Sequence, residues 1–145
     1  MKPESRSSVK AGVIGAAILF FIALAFGYYF FMYRDQMGII GGLTVPGYAL
    51  AFIVAGVLAV DFSENKIGSA HKALAAGFLS GCVTAIILVV AWIVLSTTVL
   101  IYLDFKAWIG LTLTMAIPIV IGIAISALAS TIYAYIDNNF STPKV

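Results

Sequence analysis

The sequence contains few charged residues, and they are unevenly distributed. Asp, Glu, Lys and Arg make up 10% of the 145 residues, whereas a soluble domain carries roughly 25%. Four stretches lack these residues and also histidine: 11–33, 36–60, 73–103 and 107–136. Each is longer than the roughly 20 apolar residues that cross the hydrocarbon core of a bilayer. The low charge therefore argues against a soluble domain and predicts four transmembrane helices.

The sequence also lacks the residue sets that several classes of membrane protein need. All six acidic residues fall in predicted tails, loops or helix ends, whereas ion-coupled carriers keep an ionisable group inside the membrane. His71 is the only histidine and Cys82 the only cysteine, so a bis-histidine haem site, an intrachain disulfide and a dithiol redox site are excluded. We find no P-loop, Ser/His/Asp set or metal-ligand cluster, and no basic run that indicates nucleic-acid binding. We therefore expect no enzyme activity, cofactor or metal.

The apolar stretches predict a single all-α domain over residues 1–145, a bundle of four transmembrane helices. The helices are expected over about 9–33, 39–60, 70–100 and 108–136, with a polar tail at 137–145. Ser7 or Ser8 is the candidate N-cap of the first helix. Pro46 should kink or break the second helix near its start, because proline lacks an amide donor, and Pro118 should kink the fourth.

The distribution of Lys and Arg predicts the orientation in the membrane. With four spans, both termini and the central loop share one side, which holds every Lys and Arg except Arg34 and Lys106. Because such residues concentrate on the cytoplasmic side, both termini are expected in the cytoplasm of a multi-pass cell-membrane protein. Although Ala23-Leu24-Ala25 resembles a cleavage motif, the first apolar run is too long for a typical signal peptide, so we expect it to be retained.

An aromatic run, YYFFMY at 28–33, ends the first predicted helix. Aromatic side chains with polar edges favour the headgroup region of a bilayer. Consecutive positions on a helix also point in different directions, so these rings cannot form one stack. We interpret the run as an interface anchor; contact with a quinone or pigment is the alternative.

Small residues recur at four-residue spacing in every predicted helix. In lipid, helices associate through close backbone approach and dispersion, so these ridges are predicted packing positions. They could pack within the chain's own bundle or against other subunits. The ridges are Gly12 with Ala16 and Ala23 with Gly27 in the first helix, Gly47, Ala51, Ala55 and Ala59 in the second, Ala73, Gly77 and Gly81 in the third, and Gly122, Ser126 and Ser130 in the fourth.

The two halves of the chain show a weak internal similarity. SSVKAGVIG at 7–15 and SAHKALAAG at 69–77 share Ser, Lys, Ala and Gly at a constant offset, and GLTVP at 42–46 echoes GLTLTMAIP at 110–118. The pattern allows two tandem helical hairpins.

The stretch VPGYALAFIVAGVLAVDFSENKIGSAHKALAAGFLSGCVTAII resembles a family of small archaeal membrane proteins. In that family a Pro-Gly precedes an apolar helix, and a GAxHGALAG-like segment opens the next one. The resemblance covers about the first 90 residues, implies an archaeal origin and a multi-span fold, and supplies no activity; Lys72 stands where the family tends to have Gly. The matching residues are Pro46, Gly47, Ala55, Gly56, Ala59, Gly68, Ala70, His71, Ala73, Leu74, Gly77 and Gly81.

Two functions are compatible with this pattern. The first is a structural or accessory membrane protein that associates through small-residue faces with itself or with other membrane subunits. The alternative is a homo-oligomeric channel or carrier for a neutral or weakly polar solute, its path lined by threonines. His71, where the central loop meets the third helix, either makes a local hydrogen bond or acts as a switch or ligand. The threonines concerned are Thr44, Thr84, Thr97, Thr98, Thr112 and Thr114.

Overall fold

The chain folds into four α-helices. The computed structural model describes residues 3–32, 37–63, 69–99 and 105–140, with side chains described at 5–25, 46–63, 69–94, 109 and 116–137. The prediction of an all-α protein with four helices is confirmed. The helices are α1 (Pro3–Met32), α2 (Met37–Asp61), α3 (Ala70–Val99) and α4 (Phe105–Phe140).

Within the described residues, three of the helices contain segments long and apolar enough to cross a membrane. These segments are Ser5–Ala25, Ala70–Val94 and Ala116–Asp137, with a shorter apolar segment, Pro46–Asp61, in α2. They support a membrane-embedded helical protein. The fourth span and the orientation remain predictions.

The first helix begins earlier than expected, and the predicted cap is wrong. It starts at Pro3, where a missing amide hydrogen costs nothing because the first turn has no intrahelical acceptor for it. Ser7 and Ser8 lie inside the helix and are buried, with 5% and 0% of their surface exposed. Their burial against other helices outweighs the capping preference on which the prediction relied.

The other helix ends differ from prediction mainly in α4. That helix runs to Phe140, so the first four residues of the predicted tail are helical. Asp137, Asn138 and Asn139 are polar but do not break a helix, and the sequence has no glycine or proline between Gly122 and Pro143. The start of α4 also lies earlier, at Phe105, whereas α2 and α3 match within two residues.

Neither proline interrupts its helix. Pro46 lies within α2 and Pro118 within α4, and both helices are assigned continuously through them. A break at Pro46 is therefore wrong, whereas the kinks at Pro46 and Pro118 remain predictions. Neighbouring helices in a membrane protein can satisfy the carbonyl that proline leaves without a donor, which is why an internal proline is tolerated there.

The helices form a four-membered ring with one diagonal contact. In the described part of the chain, α1 packs on α2 and α3, and α4 packs on the same two helices. A further contact joins α2 to α3, and none joins α1 to α4. The order around the bundle is therefore α1, α2, α4, α3.

Contacts along the helices show which of them run parallel. Gly12 of α1 lies against Ser80 of α3, and Gly15 lies one turn further along, against Thr84. These two helices are therefore parallel. In the same way, α2 and α4 are parallel, because Phe52 lies against Gly122 and Gly56 against Ser126. The α3 and α4 helices run antiparallel, because Gly77 lies against Ser130 and Gly81 against Ile123. The starts of α1 and α3 and the ends of α2 and α4 therefore share one end of the bundle.

Candidate functional site

The interior of the bundle consists of small residues and hydroxyl groups. Apart from Phe52, the largest fully buried side chains are serines and a threonine, and most buried apolar residues are alanines. Large apolar side chains instead lie on the outside, for example Phe21 at 70% exposure and Ile117 at 67%. Small residues let helix backbones approach closely, which is how helices associate in lipid.

The seam between α3 and α4 is the most polar part of this interior. Ser126 Oγ donates to the carbonyl of Gly77 at 2.9 Å, and Ser130 Oγ donates to the carbonyl of Ala73 at 2.8 Å. Ser80 Oγ lies 3.1 Å from Ser126 Oγ and also donates to Gly77 O at 3.0 Å. Two α4 hydroxyls thus bind α3 backbone across the interface, each bond contributing about 0.6 kcal/mol by the average for such bonds in membrane helices.

Gly77 is the position of closest approach in this seam. A Cβ atom at Gly77 would overlap the Ser130 hydroxyl and the Ser126 carbonyl. One turn further along, a Cβ at Gly81 would lie 3.0 Å from the Ser126 Cβ. Only glycine at 77 allows the α4 hydroxyls to reach the α3 carbonyls.

A second polar contact joins α1 to α3. Thr84 Oγ1 donates to the Gly12 carbonyl at 2.9 Å and shares this donor with its own helix at Ser80 O, 3.0 Å away. A Cβ at Gly12 would lie 2.6 Å from Val83 Cβ. Thr84 is therefore a packing residue that bonds two backbones.

The contact between α2 and α4 depends on two more glycines. A Cβ at Gly56 would overlap the Ser126 carbonyl, and a Cβ at Gly122 would lie 2.6 to 2.7 Å from three carbons of the Phe52 ring. Tyr48 packs on the same ring, with 5.2 Å between ring centroids. Phe52, the largest fully buried side chain in the described part of the chain, is thus held between α4 and the ring of Tyr48.

The α1–α2 pair and the α3–α4 pair use the same kind of contact, in which a glycine of the first helix lies against the backbone of the second. In the first hairpin, a Cβ at Gly15 would meet the carbonyl of Ala51 and the Cβ of Ala55. In the second, a Cβ at Gly77 would meet the carbonyl of Ser126 and the side chain of Ser130. The glycines are those aligned by the sequence similarity of the two halves. The pairing agrees with tandem hairpins, which remain a prediction.

The structure places most of the predicted packing residues that it describes inside the bundle. Gly47 is half-buried, the exposed Ala23 lies outside the interior, and Gly27 lies outside the described side chains. The buried positions thus pack within the chain, which is one of the two alternatives that the sequence left open. The buried members are Ala51, Ala55, Ala59, Ala73, Gly77, Gly81, Gly122 and Ser126, with Gly12, Ala16 and Ser130.

Sequence reasoning missed several residues of the same interior. Gly15, Gly56 and Ser80 pack at helix crossings and were not proposed as packing residues. A usable signal was present, because glycine inside a helix costs about 1 kcal/mol relative to alanine. A glycine in an apolar helix therefore indicates a close contact.

His71 lies outside this interior. It is exposed, as the second residue of α3, next to the exposed Lys72. Ser69 caps the helix, with the Lys72 amide 3.4 Å from Ser69 Oγ and 3.1 Å from its carbonyl. The described residues contain no cluster of metal-ligating side chains. A switch or ligand role for His71 remains a prediction.

A polar contact joins α2 to α4 at the end of the bundle where α1 and α3 begin. The Tyr133 hydroxyl of α4 donates to Asp61 Oδ1 at the end of α2, at 3.5 Å. The other aromatic prediction, the anchor at 28–33, lies outside the described side chains. So do all the candidate path threonines except Thr84.

The outer surface carries an apolar groove between α2 and α4, with a volume of about 400 Å³. We call it the α2/α4 groove. Tyr133, which binds Asp61, lines its end. The complete lining is Ile53, Val57, Ile125, Leu128, Ala129, Ile132, Tyr133 and Ile136.

The predicted resemblance to small archaeal membrane proteins relied on residues that the structure places in different surroundings. Ala55, Gly56 and Gly77 are buried packing residues, whereas His71 is exposed. The motif thus combines interior packing positions with a polar helix start. In comparisons with known proteins, no family model, no curated protein and no solved structure matches the chain.

Proposed function

We propose that the chain is a small integral membrane protein with a structural or accessory role, and that it binds membrane partners through its outer apolar faces. The observation that carries this proposal is the reversed distribution of side-chain size. Small residues and hydroxyls fill the interior, and large apolar side chains cover the outside of all the helices. Such a surface suits lipid and other transmembrane helices.

The buried small-residue ridges are not accessible to a partner, because other helices of the same chain already cover them. Gly77 and Gly81 contact α4 of the same chain. A partner could reach them only if the helices separated. Leucine substitutions at these glycines therefore test folding of the bundle, and a partner must bind elsewhere.

The channel or carrier alternative has less support from the described interior. Thr84 uses its hydroxyl to bond two helix backbones, and the glycine crossings leave no room for an added methyl group. A solute path through this part of a single bundle would require the helices to move apart. A solute path between subunits would not require this movement of the helices.

We further propose four spans with both termini in the cytoplasm. The parallel course of α1 and α3 supports this orientation, because it brings Arg6, Lys10 and Lys72 to one end of the bundle, all exposed. Positive charge at one end matches the distribution found on cytoplasmic sides.

Cysteine labelling tests the orientation. In a Cys82→Ser background, Lys10→Cys and Lys72→Cys should react with a membrane-impermeant maleimide in inverted vesicles and stay unlabelled in intact cells. Phe21→Cys, exposed on α1 but inside the charge-free stretch 11–33, is the matched control and should resist the reagent in both preparations. Labelling of Lys10→Cys from outside intact cells would show that the orientation is the opposite of the one proposed.

Intact-complex mass spectrometry after mild-detergent extraction tests the role. We expect the protein to leave the membrane bound to a stoichiometric partner, either another subunit or further copies of itself. A lone monomer at every detergent tested would contradict a structural or accessory role. Solute flux from purified protein in liposomes, above that of empty vesicles, would establish the channel or carrier alternative instead.

A further inference from the structure

The outer face formed by α1 and α3 carries two matching stripes, which together we call the α1/α3 face. Each stripe has one residue every seven positions, so that its members share one side of a helix. Each begins with a cation and continues with exposed apolar residues. The stripes are Arg6, Val13 and Phe20 on α1, and Lys72, Leu79 and Ile86 on α3.

Both stripes point away from α2 and α4. Val13 is two positions from Gly15, which faces Ala55 of α2. Leu79 is likewise two positions from Gly77, which faces α4. Two positions rotate the direction of a side chain by about 200°. The α1/α3 face and the α2/α4 groove therefore lie on opposite sides of the bundle.

The two sides carry opposite charge at the same end. Asp61 is exposed at the end of α2 and is held by Tyr133, a residue of the groove lining. Arg6 and Lys72 are exposed at the start of their stripes. Because α1 and α3 begin where α2 and α4 end, the acid beside the groove and the cations on the opposite face occupy one level of the bundle.

From this arrangement we propose that a second copy of this chain, in the same membrane orientation, docks its α1/α3 face into the α2/α4 groove. Arg6 and Lys72 of one copy then lie near Asp61 of the next, while the apolar stripes pack on the groove. The proposal rests on the proposed function only in requiring that the chain is embedded in a membrane. The contact is heterologous, so it closes into a ring when the rotation between copies allows it.

Charge also disfavours the symmetric alternative. Two copies of the same orientation that met groove to groove would bring Asp61 near Asp61 at one level, and like charges repel. The groove-to-stripe contact instead pairs opposite charges, and that complementarity selects this chain as the occupant of its own groove.

Disulfide trapping between two differently tagged copies tests the contact in native membranes. In a Cys82→Ser background, one copy carries Leu128→Cys in the groove and the other Leu79→Cys on the stripe. The two positions are at similar depth, because Leu128 lies between Ser126 and Ser130, the α4 residues that contact Gly77. We expect a mixed disulfide on oxidation. The matched control replaces Leu79→Cys by Phe78→Cys, which is also exposed but lies about 100° away around α3. This control should give a several-fold lower yield of mixed disulfide.

Charge reversal in trans then tests the ionic contact. Asp61→Lys on the groove copy should lower the yield of mixed disulfide about fourfold, a typical effect for a partly exposed ion pair. Adding Arg6→Asp and Lys72→Asp to the stripe copy alone should restore it. Because the changes are on different chains, a restored yield reports contact between copies.

The outcomes separate this proposal from the proposed function. Carbonate extraction of the same samples reports membrane embedding, and release of the protein would overturn both proposals. Retention in the membrane with a mixed disulfide no stronger than the Phe78→Cys control would overturn the docking alone. A strong disulfide between two Leu128→Cys copies would also overturn it, in favour of a groove-to-groove contact.

Discussion

Gly77→Leu is expected to destabilise the bundle by roughly 3 kcal/mol, the upper end of the usual cost of overpacking a core. The added side chain would occupy the space of the Ser130 hydroxyl and the Ser126 carbonyl. It would force α3 and α4 apart and remove the bonds from Ser126 to Gly77 and from Ser130 to Ala73. The measurement is SDS-induced unfolding in mixed micelles, followed by the alkylation rate of the half-buried Cys82.

Ala75→Leu is the matched control for this change. It adds a side chain to the same helix two residues away, at an exposed position. Its midpoint in SDS should equal that of the unmodified protein. If Gly77→Leu and Ala75→Leu unfolded at the same SDS fraction, the α3–α4 seam would not be the close contact described above.

Gly122→Ala should produce the second large loss of stability, and Phe52→Leu on a different helix should reverse part of that loss. The new methyl group would lie 2.6 to 2.7 Å from ring carbons of Phe52, and Tyr48 packs on the same ring. We expect a loss of about 2 kcal/mol, within the range for overpacked cores. Phe52→Leu alone should cost about 1 kcal/mol, as a conservative apolar exchange.

The double variant is the informative measurement. Phe52→Leu removes the ring carbons that the methyl group would meet, so Gly122→Ala with Phe52→Leu should be more stable than Gly122→Ala alone. The coupling in the double-mutant cycle should be about 1 kcal/mol or more, because the two residues are in contact. Pairing Phe52→Leu with Ala124→Val, at an exposed α4 position, should give additive losses. Additive losses in the Gly122 cycle as well would contradict the packing of α2 on α4.

The four helices were predictable because long stretches without charge are visible in the sequence itself. The positions of the helix ends were less predictable. Ser7 and Ser8 are good N-cap residues by local preference, yet both are buried within α1. Pro46 was expected to disturb α2, yet the helix continues through it. For the two serines, a capping preference of about 1 kcal/mol was outweighed by packing against other helices, which the sequence does not display. For Pro46, even the larger local penalty of about 3 kcal/mol did not break the helix.

The residue types of the candidate site could be predicted from the sequence, but the contacts between those residues could not. Four-residue spacing identified Gly77, Gly81 and Ser126 as packing positions, but it did not indicate that all three meet in one seam. Ser80 and Gly56 lie outside the simplest ridges and were missed, although they belong to the same interior. Spacing along one helix defines a face; it does not define which neighbour covers that face.

The sequence by itself determined that this chain contains membrane-type helices, because the transfer of apolar residues into lipid depends on composition along a short stretch of chain. Only the tertiary structure decided that the small-residue ridges are closed within one bundle, leaving the large apolar side chains outside. In lipid, apolar bulk does not distinguish inside from outside, so the arrangement depends on how closely particular backbones approach. At Gly77 and Ser126 that approach involves residues 49 positions apart, a distance that only the folded chain brings into hydrogen-bond range.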